Sequence, residues 1–124
     1  MARIEVASEG SLLVVTVVGS LVKDEVIAVV TDQYPLHGVK DVIWDLTDGS
    51  LSQLTKTCFL KIAQTTKEVI AGGARQGGKT VFVRAAIAEY GLLRMYTAIA
   101  EIAGVDANYS VFKTIEEARM FLLS

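Results

Sequence analysis

The sequence contains one cysteine, one proline and one histidine among its 124 residues. A single cysteine, Cys58, cannot form an internal disulfide, so nothing in the sequence indicates an oxidising compartment. A metal site would need several His, Cys or carboxylate side chains at ligand spacing, which one His and one Cys do not supply. We therefore expect no metal and no cofactor, and we interpret Cys58, within the apolar phrase CFLKIA, as a small buried hydrophobe.

Long apolar runs and an excess of positive charge are also missing. No run approaches the ~20 apolar residues that a membrane-spanning helix needs, and the N-terminal MARIEVASEG lacks the apolar centre of a signal peptide. Twelve Lys and Arg oppose fourteen Asp and Glu, which argues against general nucleic-acid binding. We expect a cytoplasmic protein with no membrane insertion and no nucleic-acid partner. The length of 124 residues predicts a single domain over residues 1–124, and the 52% hydrophobic content suits a compact protein.

The hydrophobic pattern predicts alternating strands and helices. β-branched or alternating runs predict strands at 2–6, 12–18, 41–46, 79–86 and 108–113. Helical spacing predicts helices at 23–34, 51–71 and 88–103, and a last helix from 114 to 122 or 123. The resulting order, β-β-α-β-α-β-α-β-α, predicts an α/β fold with a mixed, mostly parallel sheet.

Local signals predict where the helices begin and end. Pro35 is expected to end the first helix. The polar TDGS, residues 47–50, is expected to form a turn after the third strand. Ser50 and Gln53 predict a capping box at the start of the long helix, and Thr114 and Glu117 predict another at the start of the last.

The stretch GARQGGKT, residues 73–80, fits the phosphate-loop pattern G-x-x-x-x-G-K-[ST] at every fixed position. A working phosphate loop follows a strand and opens a helix, which aims the helix N-terminus at the phosphates. Here a helix precedes the glycines and a strand follows them. We therefore interpret the stretch as a helix-to-strand connection in which glycines provide left-handed backbone angles and Lys79 faces water.

No catalytic constellation is recognisable, and we expect no enzyme. His37 lies in a predicted loop without a nucleophile that could be assigned to it, and no G-x-S-x-G motif occurs. Asp45 and Asp48, with the hydroxyls around them, form a dense polar group at a strand's C-terminal end, where ligands of open α/β sheets tend to bind. The alternative is that the group is only a turn followed by a helix cap.

Three phrases resemble the STAS domain (sulphate transporter and anti-sigma-factor antagonist), especially the bacterial STAS-like proteins that stand alone. They are DVIWDLTD at 41–48, EYGLLRMYTAIAEIAG at 89–104 and VFKTIEEARMFL at 111–122. Element order and hydrophobic pattern extend the resemblance over nearly the whole chain. The resemblance implies helices packed mainly on one face of the sheet, no intrinsic catalysis, and a protein partner whose binding is controlled by phosphorylation.

The family's phosphorylated Ser or Thr lies at the start of the helix after the DL-containing strand, commonly in D-S-S-G or D-S-T-G. After Asp45-Leu46 this chain reads TDGSLSQLTK and lacks that motif. By position, the resemblance places the acceptor near Leu54 or Thr55, where a phosphate would add about −1.5 to −2 charge to a docking surface. The candidate phosphoacceptor or partner-docking residues are Thr55, Ser52, Ser50, Asp48 and Asp45.

Some STAS-like proteins that lack the acceptor bind ligands or lipids instead. The alternative function is therefore a carrier or sensor that binds a small apolar or lipid-like ligand under the 88–103 helix, with Arg94 or Lys79 reading a negative group. The candidate pocket residues are Tyr90, Arg94, Met95 and Tyr96, although plain core packing produces the same helical spacing. Apolar composition and exposed sheet edges also predict a homodimer.

Overall fold

Neighbouring strands along the chain are also neighbours in the sheet. The structure, a computed structural model, describes residues 2–37, 40–72, 78–84, 87–105 and 108–123. Within these ranges the strands are β1 (Arg3–Glu9), β2 (Leu12–Ser20), β3 (Asp41–Ser50), β4 (Lys79–Val83) and β5 (Asn108–Phe112), in the spatial order β1-β2-β3-β4-β5. β1 and β2 are antiparallel and all other pairs are parallel. The predicted mixed, mostly parallel sheet is confirmed.

A helical segment follows every strand from β2 onward. The segments are α1 (Lys23–Ala28), α2 (Tyr34–His37), α3 (Lys56–Ala71), α4 (Ile87–Ala103) and α5 (Ile115–Leu123). A π-helical turn at Val29–Gln33 joins α1 to α2. Each parallel pair is thus joined by a helical crossover, as parallel strands require.

Side chains alternate between two apolar clusters on opposite faces of the sheet. Leu13, Val15 and Val17 belong to the larger cluster, which also holds the buried residues of α1, α3 and α4. Val14 belongs to the smaller cluster, which is completed by Ala118 of α5. Because strand residues point alternately to the two faces, β2 is apolar at every position from 12 to 15. The helices therefore pack mainly on one face, as the resemblance implied.

Pro35 does not end the first helical region, so that prediction is wrong. Tyr34, Pro35 and the two residues after them form α2, and the N–H of Tyr34 bonds to the carbonyl of Val29, five residues back. A proline inside a helix lacks an N–H, and its ring collides with a carbonyl one turn earlier. The π turn ends at Gln33, two residues before Pro35. This wider turn accommodates the proline, so the helical region continues past it.

The predicted turn at 47–50 is a strand, and the long helix begins later than predicted. β3 continues to Ser50, pairing Asp48 with Val18 and Ser50 with Ser20 across a bulge. α3 begins at Lys56, with Thr55 as its N-cap, so Ser50 and Gln53 do not form a capping box there. Pairing with β2 satisfies the backbone of 47–50, which outweighs the local turn preference of its residues.

The glycine stretch leads into a strand, as predicted. α3 ends at Ala71, and β4 begins at Lys79; residues 73–77 lie outside the described ranges. Thr80 is buried in β4 and does not start a helix, whereas Lys79 extends its Nζ to within 4.6 Å of the Phe121 ring centre. The described end of the stretch therefore lacks the helix N-terminus that a phosphate loop requires.

Gly78 closes the contact between this stretch and the start of β3. Its φ is +93°, and a Cβ added there would collide with the carbonyl of Lys40. We expect Gly78→Ala to lower the free energy of unfolding by more than about 1 kcal/mol, since both the backbone angle and the space are wrong for alanine. Urea denaturation measures the change.

Gly10→Ala is the matched control for this substitution. Gly10 also has a positive φ, +63°, but nothing lies within 4 Å of its added Cβ. It should therefore show the backbone strain alone, about 1 kcal/mol. Equal losses in the two variants would contradict the role that we assign to the Lys40 contact.

Candidate functional site at the start of helix α3

The carboxyl ends of the parallel strands place most of the predicted docking residues at one edge of the sheet. β3 ends at Ser50, and residues 51–55 connect it to α3. In this connection the buried Leu51 and Leu54 alternate with the exposed Ser52 and Thr55. The N–H of Leu54 bonds to the carbonyl of Leu51 at 3.0 Å. The two leucines therefore hold the connection on the core while the two hydroxyls face solvent.

The side chain of Asp45 is hydrogen-bonded to Thr47, two residues further along the chain. Its Oδ1 accepts hydrogen bonds from the N–H of Thr47 at 3.1 Å and from the Thr47 hydroxyl at 2.6 Å. By strand alternation Asp45 shares the sheet face of Ile43, which belongs to the α5 cluster. Since Thr55 begins α3 on the other face, the structure does not gather all the predicted residues into one pocket.

A bulge in β3 determines how the strand reaches the edge. Asp45 pairs with Thr16 and Asp48 with Val18, so two β3 residues stand opposite Val17 alone. The Nη1 of Arg84, which follows β4, donates to the carbonyls of Leu46 at 2.7 Å and Thr47 at 3.1 Å. This contact occupies the backbone of the bulge and leaves the side chain of Asp48 exposed.

Ser50 and Ser52 form a second local pair. Their hydroxyl oxygens lie 3.0 Å apart, and the N–H of Ser52 donates to Ser50 Oγ at 3.3 Å. The carbonyl of Ser50 accepts from the N–H of Leu21, at the end of β2, at 2.9 Å. Ser50 is therefore a half-buried anchor between two strands, while Ser52 is exposed.

Thr55 and Cys58 form the third pair, in the first turn of α3. Thr55 Oγ1 accepts from the N–H of Cys58 at 3.3 Å, which makes Thr55 the N-cap, and its hydroxyl lies 3.3 Å from Cys58 Sγ. The hydrogen bond from Thr55 lowers the pKa of the Cys58 thiol, and nearby Lys23 contributes to the same shift. Cys58 is half-buried, not fully buried as predicted.

Sequence reasoning missed the pairing of Thr55 with Cys58. The signal available was the spacing T-x-x-C before a helical run, because an N-cap oxygen binds the N–H three residues later. Because the cap was assigned to Ser50, the pairing of Thr55 with Cys58 was not recognised. Ser50 and Thr55 both precede a run with helical spacing, so the sequence alone does not determine which of them caps the helix.

The predicted pocket residues on α4 do not share one environment. Tyr96 is buried, Met95 is half-buried at the edge of the core, and Arg94 is exposed. The Tyr96 ring contacts Phe59, Phe82 and Tyr109 edge-on, with centroids 5.5 to 5.9 Å apart. Tyr90 lies in α4, but its side chain is outside the described set. Arg94 is therefore not positioned beside Tyr96 as a reader of a buried ligand.

A cavity of about 50 Å³ lies beside Tyr96, between the sheet and the helices of the larger cluster. Leu51 and Leu54 form part of its wall, together with Trp44 of β3 and Thr66 of α3. The residues that connect β3 to α3 therefore contact both the interior cavity and the exposed edge.

Two other kinds of site, a metal centre and a membrane-spanning helix, are absent from the described ranges. No three His, Cys, Asp or Glu side chains there are grouped so that they could hold a metal ion. None of the helices in those ranges is long and apolar enough to cross a membrane.

Comparison with known proteins identifies the fold. No protein-family model matches the chain, and no curated protein matches it. Among solved structures, the anti-sigma factor antagonist SpoIIAA in its unphosphorylated form is similar, with a TM-score of 0.57 over 99% of this chain and 97% of that chain. The two sequences are 11% identical. The likeness is therefore one of fold, and the chain has the STAS-like fold of an anti-sigma factor antagonist.

Proposed function

We propose that this protein is a non-enzymatic regulatory module that binds a partner protein through the start of α3, and that phosphorylation of Thr55 controls the binding. The observation that carries the proposal is the position of Thr55: an exposed hydroxyl at the N-cap of α3, in a fold shared with an anti-sigma factor antagonist. The STAS resemblance expects its acceptor at this point in the chain.

A phosphate on Thr55 is compatible with the fold. The N-terminus of a sixteen-residue helix carries partial positive charge and favours an anion in its first turn. Lys56 is exposed next to Thr55, and Lys23 of α1 is near enough to influence Cys58. The added charge would therefore change what the surface presents to a partner while leaving α3 in place.

The exposed start of α3 also offers contact area to a partner. Lys56, Thr57 and Leu60 are exposed along the first turns of the helix. Leu60 is 42% exposed, one helical turn beyond Lys56. An apolar side chain surrounded by polar ones is typical of a docking surface, which buries the apolar part and leaves a polar rim.

The first test adds a negative charge at Thr55 without removing the cap. Aspartate is a good N-cap residue, so Thr55→Asp should fold normally while imitating the phosphate charge. When the protein is used as bait in lysate of its source organism, we expect Thr55→Asp to recover less of the partner than the wild type does, by about tenfold or more. A loss of this size is typical of an unfavourable charge at the centre of an interface. Quantitative mass spectrometry measures the recovery.

Thr114→Asp is the matched control for that bait. Thr114 caps α5 in the same way, accepting from the N–H of Glu117 at 3.2 Å, and α5 covers the opposite face of the sheet. It should recover the partner as well as the wild type does. Equal recovery by Thr55→Asp and Thr114→Asp would remove the start of α3 from the interface.

The second test asks whether Thr55 is modified. After incubation with ATP and the same lysate, we expect phosphopeptide mapping to find phosphate on Thr55 in the wild-type protein and none at this position in Thr55→Val. Thr114, an exposed threonine at another helix start, serves as the internal comparison. Phosphate only on other residues, or none while a control substrate is modified, would contradict phosphorylation at Thr55.

The third test uses Cys58 as a reporter of the Thr55 hydroxyl. Since the hydrogen bond from Thr55 lowers the pKa of Cys58, Thr55→Val should raise that pKa. Alkylation of the thiol by iodoacetamide should then be slower at neutral pH and reach the same rate at high pH, because only the thiolate reacts.

Two variants control the thiol measurement. Thr55→Ser keeps a hydroxyl and should preserve the pH profile, whereas Thr57→Val changes an exposed neighbour in the same turn and should have no effect. A profile that shifts equally in Thr55→Val and Thr57→Val would show that the hydrogen bond is not the cause.

A further inference from the structure

We propose that the cavity beside Tyr96 binds a small, uncharged apolar molecule of a few heavy atoms. This site is in the core and is separate from the surface proposed for docking, so neither proposal depends on the other. Its evidence is the size of the cavity, the chemistry of its walls and its position among the elements that pack on the larger face of the sheet.

The size of the cavity sets the size of the guest. A volume of about 50 Å³ exceeds the ~10–15 Å³ needed for one water molecule and is roughly a third of the engineered ~150 Å³ apolar cavity known to bind benzene or xenon. A single xenon atom or a molecule of comparable bulk is therefore the expected occupant. A long acyl chain does not fit in this volume.

The walls favour an apolar guest over water because most of the lining side chains are apolar and the hydroxyls of Thr66, Tyr34, Tyr96 and Tyr109 have partners in the protein. The Thr66 hydroxyl donates to the carbonyl of Ile62 at 2.8 Å. The Tyr34 hydroxyl accepts from Trp44 Nε1 at 3.1 Å, and the hydroxyls of Tyr96 and Tyr109 lie 3.3 Å apart. A buried water needs two to four polar partners, whereas a cavity walled by carbon stays dry and takes up apolar molecules.

The position of the cavity gives a guest contacts on several sides. Trp44 belongs to the sheet, Thr66 to α3 and Tyr96 to α4, and all three line the cavity. Leu51 and Leu54 complete this part of the wall. An unfilled space of this kind deprives its lining of dispersion contacts, which a guest of the right size restores.

Xenon is the probe that tests the inference. With the wild-type protein under increasing xenon pressure, we expect saturable changes in the NMR signals of Leu54 and Thr66. In a crystal pressurised with xenon, the atom should lie in contact with Thr66 and Tyr96. Absence of saturable changes at these residues, or xenon bound only elsewhere, would overturn the proposal.

Two adjacent threonines on α3 supply matched variants. Thr65 and Thr66 are both buried, and each donates its hydroxyl to the carbonyl four residues earlier, but only Thr66 is among the cavity-lining residues. Thr66→Ile places an extra carbon in the cavity and should weaken xenon binding by about tenfold or more, since a packed interior does not yield even one methylene of space. Thr65→Ile should bind xenon like the wild type.

The outcomes separate binding from folding. Thermal unfolding followed by circular dichroism establishes that each variant is folded before xenon is added. Equal weakening in the two variants would overturn the assignment of the cavity as the site. Should Thr66→Ile not fold, the wild-type xenon titration and crystal decide the question by themselves, and either result leaves the docking proposal unaffected.

Discussion

The parallel pairing of β2 with β3 is the constraint on which the rest of the structure depends. It extends from the pair Leu12 and Asp41 to the pair Ser20 and Ser50, and it is the longest pairing of parallel strands within the described ranges. Two parallel strands need a crossover between them. The segments α1 and α2 form the crossover from β2 to β3, and α3 forms part of the crossover from β3 to β4. All three pack on the face of the sheet that carries the larger cluster. The starts of α1 and α3 therefore lie at the same edge of the sheet. Lys23, at the start of α1, contributes to lowering the pKa of the Cys58 thiol near the start of α3.

Much of this framework could be predicted because short stretches of the sequence specify it. The apolar run of β2, the helical spacing of α4 and the cap at Thr114 each show in a short window of sequence. Two of the errors, at residues 47–50 and at the start of α3, originate in the pairing of β3 with β2, which is a long-range contact. Residues 47–50 contain turn formers, but β2 offers them a partner. Pro35 ought to end a helix, but a π turn accommodates it.

The sequence predicts which segment carries the candidate site, which stays a prediction, but not how the side chains of that segment are arranged. The sequence places Asp45, Asp48, Ser50, Ser52 and Thr55 at the C-terminal end of one strand and before the helix that follows it. The structure places Asp45, Asp48 and Ser50 in β3, and Ser52 and Thr55 in the connection to α3. It divides them, however, into local pairs: Asp45 with Thr47, Ser50 with Ser52, and Thr55 with Cys58. A bulge changes which residues face the helices, and a bulge depends on the partner strand, which the residues of one strand do not specify.

The connection between β3 and α3 explains how one segment can serve both the core and the surface. Leu51 and Leu54 are 2% and 7% exposed, and between and beside them Ser52 and Thr55 face solvent. Substitution of a leucine would leave a void in the core beside an existing cavity, whereas the exposed Thr55 hydroxyl contacts Cys58 in the first turn of α3. Side-chain direction therefore divides the segment: the leucines fix the backbone from within, and the fixed backbone presents the Thr55 hydroxyl to solvent at the N-terminus of α3, where the helix dipole favours negative charge.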